Sequence, residues 1–251
     1  MTDIILNGCC GKMGHVIQSI VSSRDDCRIV AGVDIHDTGD SDFPVYSSIS
    51  DIKEKADAVI DFSNPALLDS MLEYGKKTKT PLVIATTGYD SCQKKQIEEA
   101  SKECPVFFTY NYSLGVNLLA SLAKKAVNIL GSDFDIEIIE KHHNQKVDSP
   151  SGTALLLADT IKESIADATY YVHGRNGQKK REKAEIGIHA VRGGSIVGDH
   201  EVIFAGSGEV IELSHKAISR EVFAVGALKA CTFMANVTEA GLYNMDDVLG
   251  I

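Results

Sequence analysis

A chain of 251 residues suits one large domain or two modest ones, and its 44% hydrophobic residues suffice for a packed core. With 25 basic against 35 acidic side chains its formal net charge is −10, which disfavours general nucleic-acid or anionic-membrane binding and favours a small-molecule partner. No run of about eighteen apolar residues exists to span a bilayer, and the N-terminus lacks a basic region ahead of its apolar stretch, so a cytoplasmic protein is expected.

Asp3 to Asn7 reads as a short apolar strand that Gly8-Cys9-Cys10-Gly11-Lys12-Met13-Gly14 turns into a helix running to about Ser23. This order is a dinucleotide-binding opening. Glycines let the chain turn tightly, let backbone N–H groups approach a pyrophosphate, and let the helix pack closely on the sheet. The spacing is G-x-x-G-x-x-G, with Cys10 where G-x-G-x-x-G has its middle glycine. Arg28 to Asp34 is a second strand, and Asp34 lies twenty residues after Gly14, where a ribose-binding acid belongs. The plainer reading makes Asp34 a strand-ending turn residue. Asp37 to Ser48 reads as an exposed loop.

Ala58 to Phe62, Leu82 to Thr86 and Val106 to Thr109 are further strands, separated by helical stretches at Pro65 to Lys79 and Ser91 to Lys102. Such βα alternation predicts a Rossmann-like doubly wound parallel sheet whose ligands sit beyond the carboxyl ends of its strands. Those ends carry Ser63-Asn64-Pro65, Ala85-Thr86-Thr87-Gly88 and Tyr110-Asn111-Tyr112-Ser113. They are candidate walls of a cofactor cleft, although such residues are also ordinary in turns. The six cysteines, Cys9, Cys10, Cys27, Cys92, Cys104 and Cys231, show no metal-ligand spacing, so reduced thiols and no metal are expected. Cys9 and Cys10 stand near a helix N-terminus, which can activate a thiol, but filling the glycine loop is the commoner role.

Leu114 to Leu130 is a long amphipathic helix, after which strands dominate: Phe134 to Ile139, Thr169 to His173, Glu185 to Val191, Glu201 to Ala205 and Val210 to Ser214. Glycine-rich turns between them predict an open mixed or antiparallel sheet. Residues 174–184 form a basic, apolar-poor loop, most simply a solvated surface. A helix from about Ser219 to Asn236 closes the chain and is expected to pack back on the first sheet.

The stretch from Glu140 to Ala154 carries the most chemistry. His142, His143 and Lys146 fall in a predicted strand-to-helix loop, Ser149 and Pro150 suit the N-cap and first helical position, and Ser151, Gly152 and Thr153 leave the first helical N–H groups open to an anion. Proton carriers thus crowd beside a carboxylate or phosphate site. The plainer reading is a solvated loop in which Lys146 and Asp148 form an unimportant ion pair.

These features together resemble the dihydrodipicolinate reductase family. The resemblance rests on Gly11-Lys12-Met13-Gly14, on Ala85-Thr86-Thr87-Gly88, on Asn111 to Asn117, and above all on Glu140 to Ala154. It continues through His189 to Gly194 with Gly198-Asp199-His200, and through His215 to Arg220, so it spans nearly the whole chain. It implies reduction of the cyclic dicarboxylate 4-hydroxy-tetrahydrodipicolinate to tetrahydrodipicolinate by NADH or NADPH, in the diaminopimelate pathway of lysine biosynthesis.

By the same resemblance His142 is the proton donor and Lys146 the second catalytic group, while His143, Ser151, Gly152 and Thr153 bind substrate. Gly8, Gly11, Lys12, Met13, Gly14, Asp34, Ala85, Thr86, Thr87, Tyr110, Asn111 and Tyr112 are the implied cofactor set. Residues 1–113 with 223–251 would form the dinucleotide domain, and 114–222 an α+β substrate and oligomerisation domain of a homotetramer. Ala85 stands where the family often has glycine, and the loop after Asp34 lacks an arginine often found near the adenosine ribose. Two other readings are a dinucleotide-sensing module without turnover and a reductase of another small dicarboxylate.

Overall fold

The computed structural model describes residues 1–37, 39–166 and 169–250. In chain order its elements are β1 (Thr2–Asn7), α1 (Lys12–Val21), β2 (Cys27–Val33), β3 (Val45–Tyr46), β4 (Ala58–Asp61), α2 (Leu68–Thr78), β5 (Leu82–Ile84), α3 (Ser91–Ser101) and β6 (Pro105–Phe108). There follow α4 (Leu114–Leu130), β7 (Asp135–His142), α5 (Gly152–Glu163), β8 (Tyr170–His173), β9 (Glu185–Arg192), β10 (Gly198–Ala205), β11 (Val210–Ala217), α6 (Glu221–Met234), β12 (Gly241–Tyr243) and α7 (Met245–Leu249). They group into two compact units, Met1–Tyr112 with Phe223–Ile251, and Ser113–Val222.

The first unit holds a seven-stranded sheet in the order β12-β6-β5-β4-β1-β2-β3, with every neighbouring pair parallel. A parallel sheet is covered on both faces, which is why Ile4 to Leu6, Ala58 to Ile60 and Leu82 to Ile84 are continuous apolar runs with almost no exposure. Two strands are absent from the sequence reading. The predicted loop from Asp37 to Ser48, in which Thr38 lies outside the described residues, contains β3 at the sheet edge. Nor does α6 close the chain: β12 pairs with β6 beyond it, and α7 follows, capped by Asn244. Strands of two and three residues are too short to show a period, and only pairing with a neighbour defines them.

The second unit holds a mixed sheet in the order β11-β10-β7-β9-β8, antiparallel at β11-β10 and β10-β7 and parallel at β7-β9 and β9-β8. Leu119, Ala123 and Val127 of α4 and Leu157, Ala158 and Ile161 of α5 share one core with Ile136, Ile138, Ile186, Ile188, Val202 and Phe204 of the sheet. Side chains alternate between the faces of a strand, so β7 buries Ile136, Ile138, Glu140 and His142 on one side. His142 is therefore the last residue of a strand and not a loop residue. The helix start differs too. Ser151, not Ser149, is the N-cap of α5, its hydroxyl accepting the Ala154 N–H at 3.2 Å, and Gly152 is the first helical residue. Several small polar residues here satisfy the local capping rule, and Ser151 prevails because its own N–H is held by Glu140.

Within α6, Gly226 faces the backbone of Tyr112, and a Cβ there would stand 1.6 Å from the Tyr112 carbonyl oxygen. Backbone cannot rotate aside as a side chain can. Gly226→Ala is expected to lower stability by about 1–3 kcal/mol or more, whereas Gly193→Ala, with nothing within 4 Å of its Cβ, should stay within about 0.5 kcal/mol. Urea midpoints of the two variants check this, and equal midpoints would show that α6 is not seated on Tyr112.

Candidate active site

Glu140 lies at the carboxyl end of β7 with no solvent exposure. A buried carboxylate is costly unless its lone pairs are used, and here four donors use them. Oε1 accepts from the Ser151 N–H at 3.0 Å and Arg192 Nη2 at 2.7 Å, while Oε2 accepts from His142 Nδ1 at 2.6 Å and Arg192 Nη1 at 2.7 Å. Burial pushes the Glu140 carboxyl upward, but the hydrogen bonds from Arg192, His142 and Ser151 outweigh it and hold the group below its ordinary value. Glu140 is an anion at neutral pH. Arg192 comes from the end of β9, on the same sheet face, and its Nη2 also donates to the Asp148 carbonyl at 2.8 Å, pinning the loop ahead of α5.

A carboxylate can only accept, so the contact at 2.6 Å puts a proton on His142 Nδ1 and leaves Nε2 as the atom that exchanges one. The ring is held by packing as well. A Cβ on Gly198 would lie 3.0 Å from His142 Nε2, and the His200 ring stands edge-on to His142 at 5.1 Å between centroids. His200 sits directly opposite Glu140 in the β7–β10 register. Its Nε2 is 3.1 Å from Ser151 Oγ, the same hydroxyl oxygen that accepts the Ala154 N–H. Burial and then the nearby His142 push His200 down to about 4, which leaves it neutral near pH 7.

The other sequence candidates of this unit surround that core. Lys146 forms an ion pair with Asp148 at 2.8 Å, Asp148 being mostly exposed and Lys146 partly covered. His143 is half-buried, and its Nδ1 has no partner among the described residues. Gly152 and Thr153 begin α5, where N–H groups without intrahelical acceptors give a helix its affinity for anions. The space around Gly152 is open, since a Cβ there would meet nothing within 4 Å. Sequence reasoning passed over Glu140, Arg192 and His200 as site residues. Period-two alternation carries the signal for all three, because each falls on the helix-covered face of its strand, where an apolar residue belongs.

In the first unit, Asn7, Gly8, Gly11, Asp34, Phe62, Ser63 and Asn64 line a pocket of about 440 Å³ with residues of neighbouring loops. Gly8 adopts φ +82°, and a Cβ on it would meet the Phe62 carbonyl oxygen at 2.4 Å; one on Gly14 would meet the Gly8 and Cys9 carbonyls at 2.3 Å. Only glycine fits either place. Gly11 caps α1 without a side chain, Lys12 is exposed and Met13 half-buried. Asp34 accepts the Cys10 N–H on Oδ2 and the His36 N–H on Oδ1, both at 3.0 Å. Each of its oxygens keeps a lone pair for another hydrogen bond.

Ala85, Thr86, Thr87, Tyr110, Asn111 and Tyr112 do not line this pocket. Ala85 and Thr86 are buried, with Thr86 Oγ1 accepting the Ser63 N–H at 2.8 Å, while Thr87 and Tyr110 are exposed and Asn111 is buried. The Tyr112 side chain belongs to the core, where its hydroxyl donates to the Ile84 carbonyl at 2.8 Å. Cys9 is not an activated thiol: burial, then the contact with Cys10, pushes it up to about 12.

The family model described as dihydrodipicolinate reductase, N-terminus, matches residues 2–112, and the one described as its C-terminus matches residues 115–249. The 4-hydroxy-tetrahydrodipicolinate reductase of Clostridium botulinum is 59% identical over 251 residues, covering 100% of this chain and 99% of the relative. That of Caldanaerobacter subterraneus is 50% identical over 250 residues, covering 99% and 98%. Among solved structures, the dipicolinate-bound dihydrodipicolinate reductase from Paenisporosarcina sp. TG-14 superposes with a TM-score of 0.80 at 25% identity, over 97% of each chain. A probable dehydrogenase from Thermotoga maritima, at 13% identity and a TM-score of 0.64 over 98% of this chain and 92% of its own, shares the fold.

Removing Arg192 strands the buried Glu140 carboxylate, so Arg192→Ala is expected to cost about 3–5 kcal/mol at neutral pH. Because the folded Glu140 value lies below the unfolded one, this stabilisation is complete above the ordinary carboxylate range and is lost as pH falls through the folded value. The stability gap between wild type and variant, read by urea unfolding, should therefore shrink on acidification. A gap that stays constant from pH 7 into the acid range would mean that Arg192 does not act through the Glu140 charge.

Proposed function

Because this chain belongs to the dihydrodipicolinate reductase family, we propose that the Glu140–His142 pair and the N-terminal turn of α5 supply the acid and the carboxylate site for its reaction. The chain is an oxidoreductase of diaminopimelate and lysine biosynthesis that reduces 4-hydroxy-tetrahydrodipicolinate to tetrahydrodipicolinate with a nicotinamide dinucleotide. The observation that carries the catalytic assignment is the 2.6 Å contact between Glu140 Oε2 and His142 Nδ1, in a cluster where Arg192 and the Ser151 amide keep the carboxylate ionised.

Hydride arriving at one carbon of a conjugated ring builds negative charge elsewhere in it, and a positioned acid must quench that charge. With Nδ1 held by an anion, His142 donates from Nε2, and Glu140 stabilises the imidazolium before the transfer. Glu140 and Gly198 also fix the ring plane, so no reorientation is needed at the moment of transfer. The Lys146 ammonium, drawn from the exposed Asp148, supports the developing charge. Thr153, His143 and the first amides of α5 hold the substrate carboxylates, with Gly152 leaving room for them. Ser151 acts through its cap and through His200.

The dinucleotide supplies the hydride when bound. Its fit to the first unit is supported by the Gly8 and Gly14 contacts, which leave no space for a side chain, and by Asp34 at the pocket wall. Asp34 accepts hydrogen bonds from ribose hydroxyls and repels a 2′-phosphate, so NADH serves at least as well as NADPH, with Lys12 and His36 softening the repulsion. Ala85, Thr86, Thr87, Tyr110, Asn111 and Tyr112 belong to this proposal through the family resemblance. Among the described residues no helix is long and apolar enough to cross a membrane, and a cytoplasmic homotetramer completes the reading.

His142→Gln should lower kcat by about 10²- to 10⁴-fold in a protein that still folds but melts earlier, because a donor to the buried Glu140 is weakened or lost, and Lys146→Ala should lower kcat and raise KM. Acting as a unit, the two substitutions together should cost much less than the product of their separate losses. Steady-state kinetics on variants checked by thermal melting decides, and near-normal kcat in His142→Gln removes this histidine from the mechanism. For the cofactor, kcat/KM with NADH should equal or exceed that with NADPH; a strong preference for NADPH would exclude the role given to Asp34.

A further inference from the structure

The glycine loop sets two cysteines side by side with their Sγ atoms 3.8 Å apart. Cys9 is fully buried, and Gly32 of β2 makes its place, since a Cβ there would lie 2.6 Å from Cys9 Sγ. Cys10 is half-buried. Two residues beyond Gly32, Asp34 brings a carboxylate oxygen to the pair, so that the two sulfurs and that oxygen all lie within 4.8 Å of one another. The carboxylate is already aimed by the Cys10 and His36 amides, and it retains lone pairs.

In a tetrahedral site with zinc–sulfur bonds of about 2.3 Å, two sulfurs stand about 3.8 Å apart. The observed separation equals that edge. A ligand oxygen needs to approach each sulfur to about 3.5 Å in the same geometry, so from within 4.8 Å the Asp34 carboxylate or the Cys10 side chain has to turn inward as the ion binds. Thiolate and carboxylate donors together suit a borderline-soft divalent ion, and three protein donors leave the fourth position to solvent.

We propose that Cys9, Cys10 and Asp34 form a three-donor site for a soft divalent cation of the zinc and cadmium class, and that its occupation withdraws Asp34 from the dinucleotide. Binding releases one proton from each thiol to solvent, so two thiolates and one carboxylate face the two positive charges. No electron moves. The site is independent of the catalytic assignments in the second unit and shares only Asp34 with the dinucleotide reading. The spacing of cysteines does not disclose it, because the third donor arrives from the end of another strand.

The test is a titration of the reduced full chain with Cd²⁺, followed by cadmium–thiolate charge-transfer absorption in the ultraviolet and by equilibrium dialysis. One equivalent should bind with the absorption of two thiolates. The signal should be lost in Cys10→Ser, weakened about tenfold or more in Asp34→Asn, and kept in Cys92→Ser, whose thiol is exposed elsewhere. X-ray absorption at the cadmium edge counts the sulfurs in the wild type, so the result does not depend on any variant folding. Absorption that survives Cys10→Ser, or a count other than two sulfurs, overturns the site. NADH should raise the apparent Kd for Cd²⁺. If NADH binds the metal-free chain by fluorescence and binds equally with Cd²⁺ present, the withdrawal of Asp34 is wrong; if it does not bind the metal-free chain, the dinucleotide reading fails while the cadmium signal still decides the site.

Discussion

A carboxylate with no exposure to water has to be compensated in full, and the architecture of the second unit follows from that requirement at Glu140. Its four hydrogen bonds come from three elements: Arg192 ends β9, His142 ends β7, and Ser151 caps α5. One charge therefore ties the ends of two strands to the start of a helix. The isolated cost of burying such a charge is several kcal/mol, so the cluster is stable only when complete. That same completeness suits catalysis, since an imidazole held by an ionised carboxylate keeps one nitrogen for proton exchange and does not wander.

The core beneath supplies the rigidity. Ile136, Ile138, Val202 and Phe204 occupy the apolar positions of β7 and β10 on the face that, at its far end, presents Glu140, His142 and His200. The polar cluster continues a packed hydrophobic row, and side chains in such rows hold single rotamers. His200 is kept neutral by burial and adds a second edge-on ring without adding charge. Arg192 is consumed by Glu140 and by the Asp148 carbonyl, which makes it a support for the loop and the carboxylate.

In the first unit the constraint is absence of volume. Gly8 and Gly14 stand where any Cβ would strike a carbonyl, and Gly32 yields its space to a cysteine. The loop that results brings its amides to the pocket and its thiols to Asp34. Asp34 serves several partners at once, holding the Cys10 and His36 amides while facing the pocket. Such sharing links the shape of the loop to whatever ligand the carboxylate meets.

Periodicity and glycine placement are local properties, and they made much of this protein legible in its sequence. The apolar runs of β1, β4 and β5, the helix of Leu114 to Leu130, the strand-glycine-helix opening and the crowding of titratable side chains between Glu140 and Ala154 all follow from short-range pattern. Short elements escaped that reading: β3 and β12 are edge strands of two and three residues, each hydrogen-bonded to a single neighbouring strand. The helix start moved from Ser149 to Ser151 because a carboxylate eleven residues earlier binds the Ser151 amide. Tertiary structure alone decided that Glu140 is the centre of the buried hydrogen-bonded cluster, that Arg192, 52 residues away, neutralises it, and that the third group beside Cys9 and Cys10 is Asp34. The physical reason is the same in each case: a period assigns a side chain to a face, whereas the partner it finds there is chosen by strand register and by the need of a buried charge or polar group for a particular donor.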